Sequence, residues 1–313
     1  MKEVRTMNTI RATNKPNEPV WKPYLYRKAL TYVVGDPGIG KTTFGYALAQ
    51  ALGLGEAFMG LKPEKPLNIL ILDFESSDGL LVRKGMELGD FPDNVLVLND
   101  AESSMTQLIK TGEIEKLYHA MPFDLLLIDN LGMAFNLRDE NDNAEAEKHC
   151  KELRTIVNTY DCAILLYHHP SKNLEISGTR KGSGAYAWAR YCNIHLNMNQ
   201  IDKENGIIEI ETAKNREDDD QQTRFIQKIG DSQFVECEPP ADFRPTNIGR
   251  REYPIHKAMQ IISQMKGRHS RADIVARVVR ELDVHPLTAD KALKRMLNKG
   301  EIQAGDYGKY DIP

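Results

Sequence analysis

The chain of 313 residues has only four cysteines and no long apolar run. The cysteines lie far apart, with no CxxC pair and no histidine cluster at zinc spacing, which argues against a disulfide framework and a structural zinc. No stretch reaches the length of about 18 apolar residues that spans a membrane, so we expect no membrane partner. The N-terminal segment 1–21, MKEVRTMNTIRATNKPNEPVW, lacks the apolar region of a secretory signal, so we expect a cytoplasmic protein. The cysteines are Cys150, Cys162, Cys192 and Cys237.

Neither sign of charge dominates the whole chain, but its two ends differ. The formal net charge is −4, whereas residues 250–313 hold 13 Lys and Arg against 8 Asp and Glu. A basic C-terminal block on an acidic body is typical of an appendage that faces nucleic acid. A helical domain with ordinary solvated charges is the other interpretation, and the charge pattern leaves it open.

Apolar segments that read as buried strands alternate with helical segments along most of the chain. A β-branched strand, a Gly-rich loop and a helix follow one another over 29–52, and further apolar runs lie at 68–73, 124–128 and 163–167. Nearly continuous apolar runs are typical of strands covered on both faces. The sequence therefore predicts an α/β fold with a doubly wound, mostly parallel sheet. Residues 193–212 are more strand-rich and predict an antiparallel extension of that sheet.

Changes in composition divide the chain into four predicted segments. Residues 1–22 are polar and form an N-terminal arm, and residues 23–238 form the α/β domain. Residues 239–252 hold three prolines and few large apolar side chains, which predicts a linker. Residues 253–313 show three short helical patterns and then a hairpin, which together predict a winged helix-turn-helix domain.

A phosphate-binding loop follows the first strand of the α/β domain. The run from Gly35 to Thr42 fits GxxxxGK[ST] and lies between a predicted strand and a predicted helix, as that motif requires. Glycines let backbone N–H groups point at a phosphate, and the helix N-terminus adds a positive end. Lys41 is predicted to reach the β- and γ-phosphates of ATP, and the Thr42 hydroxyl to ligate Mg²⁺. The predicted nucleotide-binding residues are Gly35, Asp36, Pro37, Gly38, Ile39, Gly40, Lys41, Thr42 and Thr43.

Two carboxylates end later strands, at the sheet edge where such folds bind ligands. Asp129 ends FDLLLID and is predicted to hold Mg²⁺ together with Thr42. Glu75 follows another strand and is predicted to polarise the attacking water, whereas Asp73 alternates with it and is expected to point to the other face. An exposed carboxylate at a strand end, without a catalytic role, is the alternative for Glu75.

Residues 20–215 resemble the RecA-type ATPase core, and most of all the branch of the plasmid hexameric helicase RepA and its phage relatives. The resemblance rests on the loop block LTYVVGDPGIGKTT, the strand ending Asp73-Phe74-Glu75, Asp129 with the block 139–143, and the block YHHPSK followed by Gly182-Ser183-Gly184. It implies ATP and Mg²⁺ as cofactors. It also implies that the early glutamate, Glu75, is the catalytic base, since Asn130 follows Asp129.

The same resemblance assigns roles to three further residues. His169 corresponds to the sensor of the γ-phosphate, and its alternative is a hydrogen-bonded histidine at a strand end. Lys214 and Arg216 correspond to a Lys-x-Arg element that reaches the neighbouring subunit's nucleotide, with Arg216 as an arginine finger in trans. A charged turn is the alternative, because an acidic run over 217–220 follows directly.

Two polar loops are candidates for contact with single-stranded DNA. The resemblance implies that loops over 136–143 and 171–184 line a central channel, where positive charge tracks the nucleic-acid backbone. The first loop is largely acidic, so an interface role is its alternative, and a surface loop is the alternative for both. The basic residues of the second loop are Lys172, Arg180 and Lys181.

The predicted winged helix supplies a second set of basic residues. Its helix 286–299 begins with proline and ends before Gly300, and is the predicted recognition helix. Arg271 is expected to meet phosphates at the first turn of the preceding helix. Such modules also dock proteins, which is the alternative. The helix residues predicted to contact DNA are Lys291, Lys294 and Arg295.

Taken together, these features predict a Mg²⁺-dependent, DNA-stimulated ATPase that acts in DNA replication, with a RepA-like hexameric helicase as the first hypothesis. We expect a homo-hexamer that passes single-stranded DNA through its ring and binds duplex DNA, if any, through the winged helix. A RecA-like ATPase without unwinding activity, such as a helicase loader or recombination factor, is the second hypothesis. A nucleotide-switched DNA-binding regulator is the third.

Overall fold

A computed structural model gives the structure of the protein, and the chain divides into two compact units, Met1–Ala241 and Asp242–Pro313. The predicted linker 239–252 falls almost entirely outside the described residues. The structure describes residues 4–99, 102–137, 142–169, 186–219, 223–230, 232–240, 243, 258–282, 286–298, 300–305 and 309–313.

A nine-stranded sheet organises the N-terminal unit, with the strand order β11-β10-β9-β8-β3-β7-β6-β4-β5. Strands β8, β3, β7, β6, β4 and β5 run parallel to one another, and β9, β10 and β11 extend the sheet beside β8 through antiparallel pairings. The predicted mostly parallel sheet and its antiparallel extension are thereby confirmed. The strands are β3 Leu30–Gly35, β4 Ile69–Asp73, β5 Val95–Asn99, β6 Leu125–Asp129, β7 Ala163–His168, β8 Ile194–Asp202, β9 Ile207–Asn215, β10 Arg224–Ile229 and β11 Gln233–Glu236.

Helices cover both faces of this sheet, as the apolar strand pattern predicts. Successive side chains of a strand point to opposite faces, so Ile69 and Ile71 join one apolar core while Leu70 and Leu72 join the other. The first core includes α2, and the second includes α4 to α8. The helices are α1 Met7–Thr13, α2 Lys41–Leu54, α3 Asp78–Leu88, α4 Met105–Lys110, α5 Glu113–Ala120, α6 Leu131–Ala134, α7 Asn143–Tyr160 and α8 Tyr186–Tyr191.

The N-terminal segment departs from the polar arm predicted for residues 1–22. It contains α1 and then a short antiparallel pair, β1 Pro19–Trp21 and β2 Leu25–Tyr26. Val20 and Trp21 are buried, and the Trp21 indole N–H donates to the carbonyl of Leu61 at 2.9 Å. These two apolar side chains belong to the core of the N-terminal unit, although the sequence places them in the predicted arm.

The C-terminal unit is a small helical fold with a three-stranded sheet. Its strands β12 Gly267–Ser270, β13 Gln303–Ala304 and β14 Lys309–Ile312 are antiparallel in the order β12-β14-β13. The sequence predicts the β13–β14 hairpin but not β12, whose few apolar residues give no strand pattern. The helices are α9 over 258–263, α10 Arg271–Leu282 and α11 Pro286–Asn298.

Among the helices that the structure describes, none is both long enough and apolar enough to cross a bilayer.

Candidate functional site

The predicted phosphate loop connects the central strand β3 to α2. The strand ends at Gly35 and the helix begins at Lys41, with Gly38 and Gly40 in left-handed backbone conformations at φ of 78° and 98°. Only glycine adopts these conformations at no steric cost. A Cβ on Gly35 would approach the Cβ of Met198 to 3.0 Å, so β8 also demands glycine where the loop begins. The loop therefore has the open backbone that a phosphate cradle requires.

The Lys41 side chain lies inside this loop. Its ammonium donates to the carbonyls of Gly35 at 2.7 Å and Asp36 at 3.1 Å, and lies 3.3 Å from Nδ1 of His169. Burial lowers the pKa of Lys41, and neighbouring carboxylates partly offset this effect. The structure thus brings together two residues that are 128 positions apart, the predicted phosphate-binding lysine and the predicted sensor.

Two of the predicted acidic residues follow adjacent strands and meet at this loop. Asp129 is buried and accepts a hydrogen bond from the Thr42 hydroxyl, and burial raises its pKa to about 6 against the effect of that bond. The N–H of Phe74 donates to the carbonyl of Asp129 at 2.7 Å, which ties the end of β4 to the end of β6. Glu75 is exposed just beyond, and its carboxylate accepts a hydrogen bond from the Asn130 side-chain amide.

Asp73, the last residue of β4, is held by hydrogen bonds and does not line the pocket, although residues two apart in a strand share a face and alternation alone would not separate it from Glu75. It is fully buried and accepts hydrogen bonds from the Tyr46 hydroxyl at 2.9 Å and from the N–H of Ser76 at 2.7 Å. The N–H of Glu75 also donates to it, at 3.0 Å. These bonds fix the turn that presents Glu75 beyond the strand end.

One pocket collects most of the predicted nucleotide-site residues. From the phosphate loop and the start of α2 it is lined by Pro37, Gly38, Gly40, Lys41, Thr42 and Thr43. From the neighbouring strand ends it is lined by Glu75, Asp129 and His169. Ile39 is instead buried in the apolar core, and Gly35 and Asp36 contribute the carbonyls that Lys41 contacts.

Three cationic residues of this pocket escaped the sequence analysis. Lys84 and Arg83 come from α3, and Lys228 comes from β10. Lys84 is 6% exposed, and its ammonium lies 5.1 Å from the ring centroid of Tyr46. Burial lowers the pKa of Lys84, and the charges of neighbouring carboxylates, that of Asp73 above all, oppose that shift. Neither Lys84 nor Lys228 belongs to a recognisable sequence motif. The one signal that could have pointed to Lys84 is its position on α3, the helix that follows β4 and Glu75.

The donors in the pocket suit Mg²⁺ bound together with a nucleotide. Among the described residues, no group of three His, Cys, Asp or Glu side chains forms a metal site of its own. Mg²⁺ is usually held by one or two protein oxygens, with substrate phosphates and water completing the shell. The Thr42 hydroxyl and the buried Asp129 carboxylate are such oxygens, and they already touch each other. The residues present therefore fit the ion.

The structure separates Lys214 from the role predicted for it. Its ammonium donates to the carbonyls of Ala189 at 2.7 Å, Arg190 at 3.2 Å and Cys192, at the end of α8. Burial, and then the charge of Arg216, lower the pKa of Lys214 to about 8. A side chain bound in this way caps the C-terminal end of α8 from β9, whereas the sequence predicts that Lys214 reaches a neighbouring subunit. Arg216, two residues further on, is exposed.

The two predicted channel loops lie largely outside the described residues. Residues 170–185 lie outside the described part of the chain, and so do residues 138–141 of the first loop. Their predicted contacts with single-stranded DNA remain predictions. The basic residues concerned are Lys172, Arg180 and Lys181.

In the C-terminal unit, the predicted DNA-binding residues divide into two groups. The Arg271 guanidinium makes a two-point contact with the Asp290 carboxylate, at 2.8 and 2.6 Å, which joins α10 to α11. The raised pKa of Arg271 follows from that hydrogen bond. Arg271 therefore has a partner within its own unit. The exposed basic residues of α11 are Lys291, Lys294 and Arg295.

Comparisons with known proteins agree with this geometry. A family model described as an AAA domain matches residues 2–175, more than half of the chain, while no curated protein matches its sequence. A solved structure titled "ATPase Domain of G40P" superposes with a TM-score of 0.53 at 14% sequence identity, covering 74% of this chain and 95% of that chain. The second match concerns the fold alone, and that fold is RecA-like. The chain therefore belongs to the AAA domain family and is a P-loop ATPase.

Proposed function

We propose that the protein is a Mg²⁺-dependent, DNA-stimulated ATPase that works as a homo-hexameric ring, in the manner of a RepA-like replicative helicase. One observation carries the proposal. Lys41, Thr42, Asp129, Glu75 and His169 come from four separate segments of the sequence and line one pocket at the carboxyl ends of parallel strands. Ligands of open α/β sheets bind at this edge.

Each residue of the pocket has a distinct task in ATP hydrolysis. The Lys41 ammonium exchanges its two carbonyl contacts for phosphate oxygens when ATP binds. Thr42 and Asp129 would hold Mg²⁺, which would supply positive charge to the β- and γ-phosphates. Glu75 accepts the proton of the attacking water, and the Asn130 amide orients its carboxylate. His169, in contact with Lys41, reports the state of the γ-phosphate to the segment that follows it.

The proposed ring assembly and the proposed DNA binding rest on different residues. Arg216 is exposed directly after β9 and is suited to reach the nucleotide of a neighbouring copy in a head-to-tail contact. The exposed lysines and arginine of α11 supply charge for duplex phosphates in a winged-helix arrangement. Lys172, Arg180 and Lys181 supply charge for single-stranded DNA in the ring.

Arg216→Ala should lower ATP turnover by about 10³-fold or more if the arginine acts as a finger. Nucleotide binding should be spared, because Arg216 does not line the pocket of its own chain. Mixing this variant with Glu75→Gln should restore part of the turnover, since some subunit pairs would combine an intact Glu75 with an intact Arg216. Steady-state hydrolysis across mixing ratios measures this effect.

The matched control for the mixing experiment is Arg280→Ala, an exposed arginine on α10. Its turnover should equal that of the wild type. Absence of any recovery in the mixture, with both variants folded and assembled, would contradict a finger supplied in trans.

The proposed function as a whole is tested by ATP hydrolysis with and without single-stranded DNA, alongside mass determination in Mg²⁺-ATP. We expect hydrolysis that chelation of Mg²⁺ abolishes, that single strands stimulate, and that accompanies a hexamer-sized species. Strand displacement on a forked duplex then tests unwinding. A monomer or dimer whose turnover ignores single strands would contradict the ring helicase. Duplex binding by residues 250–313 would then be measured to test the regulator hypothesis.

A further inference from the structure

The hairpin of β10 and β11 forms one wall of the nucleotide pocket. Lys228 of β10 lines that pocket together with the phosphate loop, although it lies 187 positions after Lys41 in the chain. Its stem runs beside the end of the loop, because the Lys228 Cδ lies 3.9 Å from the place where a Cβ on Gly40 would be. A cation is therefore held next to the loop backbone from a strand on the antiparallel side of the sheet.

The hairpin is fixed to both elements that frame the pocket. The Phe234 ring of β11 packs edge-on against the Phe44 ring of α2, with centroids 5.4 Å apart. At the hairpin turn, the Ser232 hydroxyl donates to the carbonyl of Glu87 at the end of α3, at 2.8 Å. These contacts hold Lys228 against the loop and oppose a rearrangement that would carry it away.

The charge of Lys228 has no counterion in the described part of the chain. No described carboxylate forms an ion pair with its ammonium, whereas Arg83 in the same pocket is paired with Glu87 at 2.7 Å. The side chain is half-buried. A partly desolvated cation beside an anion-binding loop is stabilised when a phosphate arrives.

We propose that Lys228 is a second phosphate-binding lysine, supplied in cis by the β10–β11 hairpin to the polyphosphate of the bound nucleotide. The proposal rests on the function proposed above and adds a residue to that site. Loop backbone N–H groups cradle the α- and β-phosphates, and Gly40 belongs to that backbone. Lys228 beside Gly40 therefore meets phosphates that ADP and ATP share.

Lys228→Met removes the charge and keeps the apolar stem. It should weaken both ADP and ATP binding by about 10-fold or more, the usual size of a lost charge-assisted hydrogen bond. In steady-state assays the KM for ATP should rise while kcat stays close to that of the wild type. Calorimetric titration of ADP into the nucleotide-free chain measures the affinity for ADP, to which hydrolysis does not contribute.

Two variants separate a phosphate contact from a packing effect. Lys228→Arg should bind ADP close to the wild-type level, because it restores the charge. Lys110→Ala, an exposed lysine at the end of α4, should bind ADP like the wild type.

The two proposals fail in distinguishable ways. ADP affinity of Lys228→Met equal to that of the wild type would overturn the role of Lys228 and leave the ATPase proposal intact. A loss that Lys228→Arg does not repair would also overturn it, in favour of a packing role. A wild-type chain that binds neither nucleotide would contradict the proposed function itself.

Discussion

Lys41→Ala should reduce ATP turnover by about 10³-fold, the scale at which loss of a preorganised charge lowers the rate of a charged transition state. Lys41 differs from the other cations of the pocket in its position. The Lys41 ammonium is already inside the phosphate loop, held by two carbonyls that it leaves when phosphate arrives. Lys84 and Lys228 line the same pocket but approach from α3 and β10. Neither makes the loop contacts of Lys41.

Nucleotide affinity should fall together with turnover in this variant, because Lys41 is the cation inside the phosphate loop and its loss leaves Lys84 to offset the charge of Asp129 and Glu75 against the phosphates. Phosphate release and ADP titration measure the two effects separately. Lys110→Ala, exposed on α4, is the matched control and should behave as the wild type. Turnover that survives in Lys41→Ala would mean that this loop is not where ATP is hydrolysed.

The part of this site that could be predicted is the part that local sequence encodes. Gly35, Lys41 and Thr42 occupy fixed positions in one loop, and Asp129 and Glu75 each end an apolar strand. Parallel strands place their carboxyl ends on one edge of a sheet, so these groups had to meet once the sheet was correct. The observed hydrogen bond from Thr42 to Asp129 is the direct outcome of that topology.

The residues that were missed depend on tertiary packing. Lys228 reaches the loop because β10 pairs with β9 and its hairpin packs on α2. The residues next to Lys228 in the sequence show no pattern that predicts its approach to the phosphate loop. Lys84 lies on α3, whose charged residues are typical of a solvent-exposed helix, yet the fold buries Lys84 beside Tyr46. Such positions follow from distant pairings that a single sequence does not display.

The contacts of Lys214 have a physical cause of the same kind. Lys214 and Arg216 match the Lys-x-Arg element of hexameric helicases, and of these two residues only Arg216 is exposed. The last carbonyls of a helix lack partners within the helix and attract cations. The end of α8 lies within reach of β9, so its carbonyls bind Lys214. Sequence spacing cannot reveal this contact, because α8 and β9, the strand that carries Lys214, are separate elements.

Glu75→Gln should bind ATP and turn it over at least about 10²-fold more slowly than the wild type, the usual contribution of a general base. The substitution keeps the size of the side chain and removes its ability to take a proton. The glutamine carbonyl still accepts the hydrogen bond from the Asn130 amide, so the side chain keeps its place. Lys41, Thr42 and Asp129 are untouched, so binding is retained.

Binding and chemistry can be separated for Glu75→Gln by measuring the affinity for ATP directly and following a single turnover with ATP in limiting amount. A fall in the chemical step with unchanged affinity is the expected result. Glu113→Gln, half-buried on α5 and paired with Lys116, is the matched control. Normal turnover by Glu75→Gln would place the proton acceptor elsewhere. Of the other two strand-end carboxylates, Asp73 is bound by Tyr46 and by backbone N–H groups, and Asp129 is committed to Thr42. The water would then have to be activated without a carboxylate base from this edge of the sheet, by phosphate oxygens of the nucleotide itself.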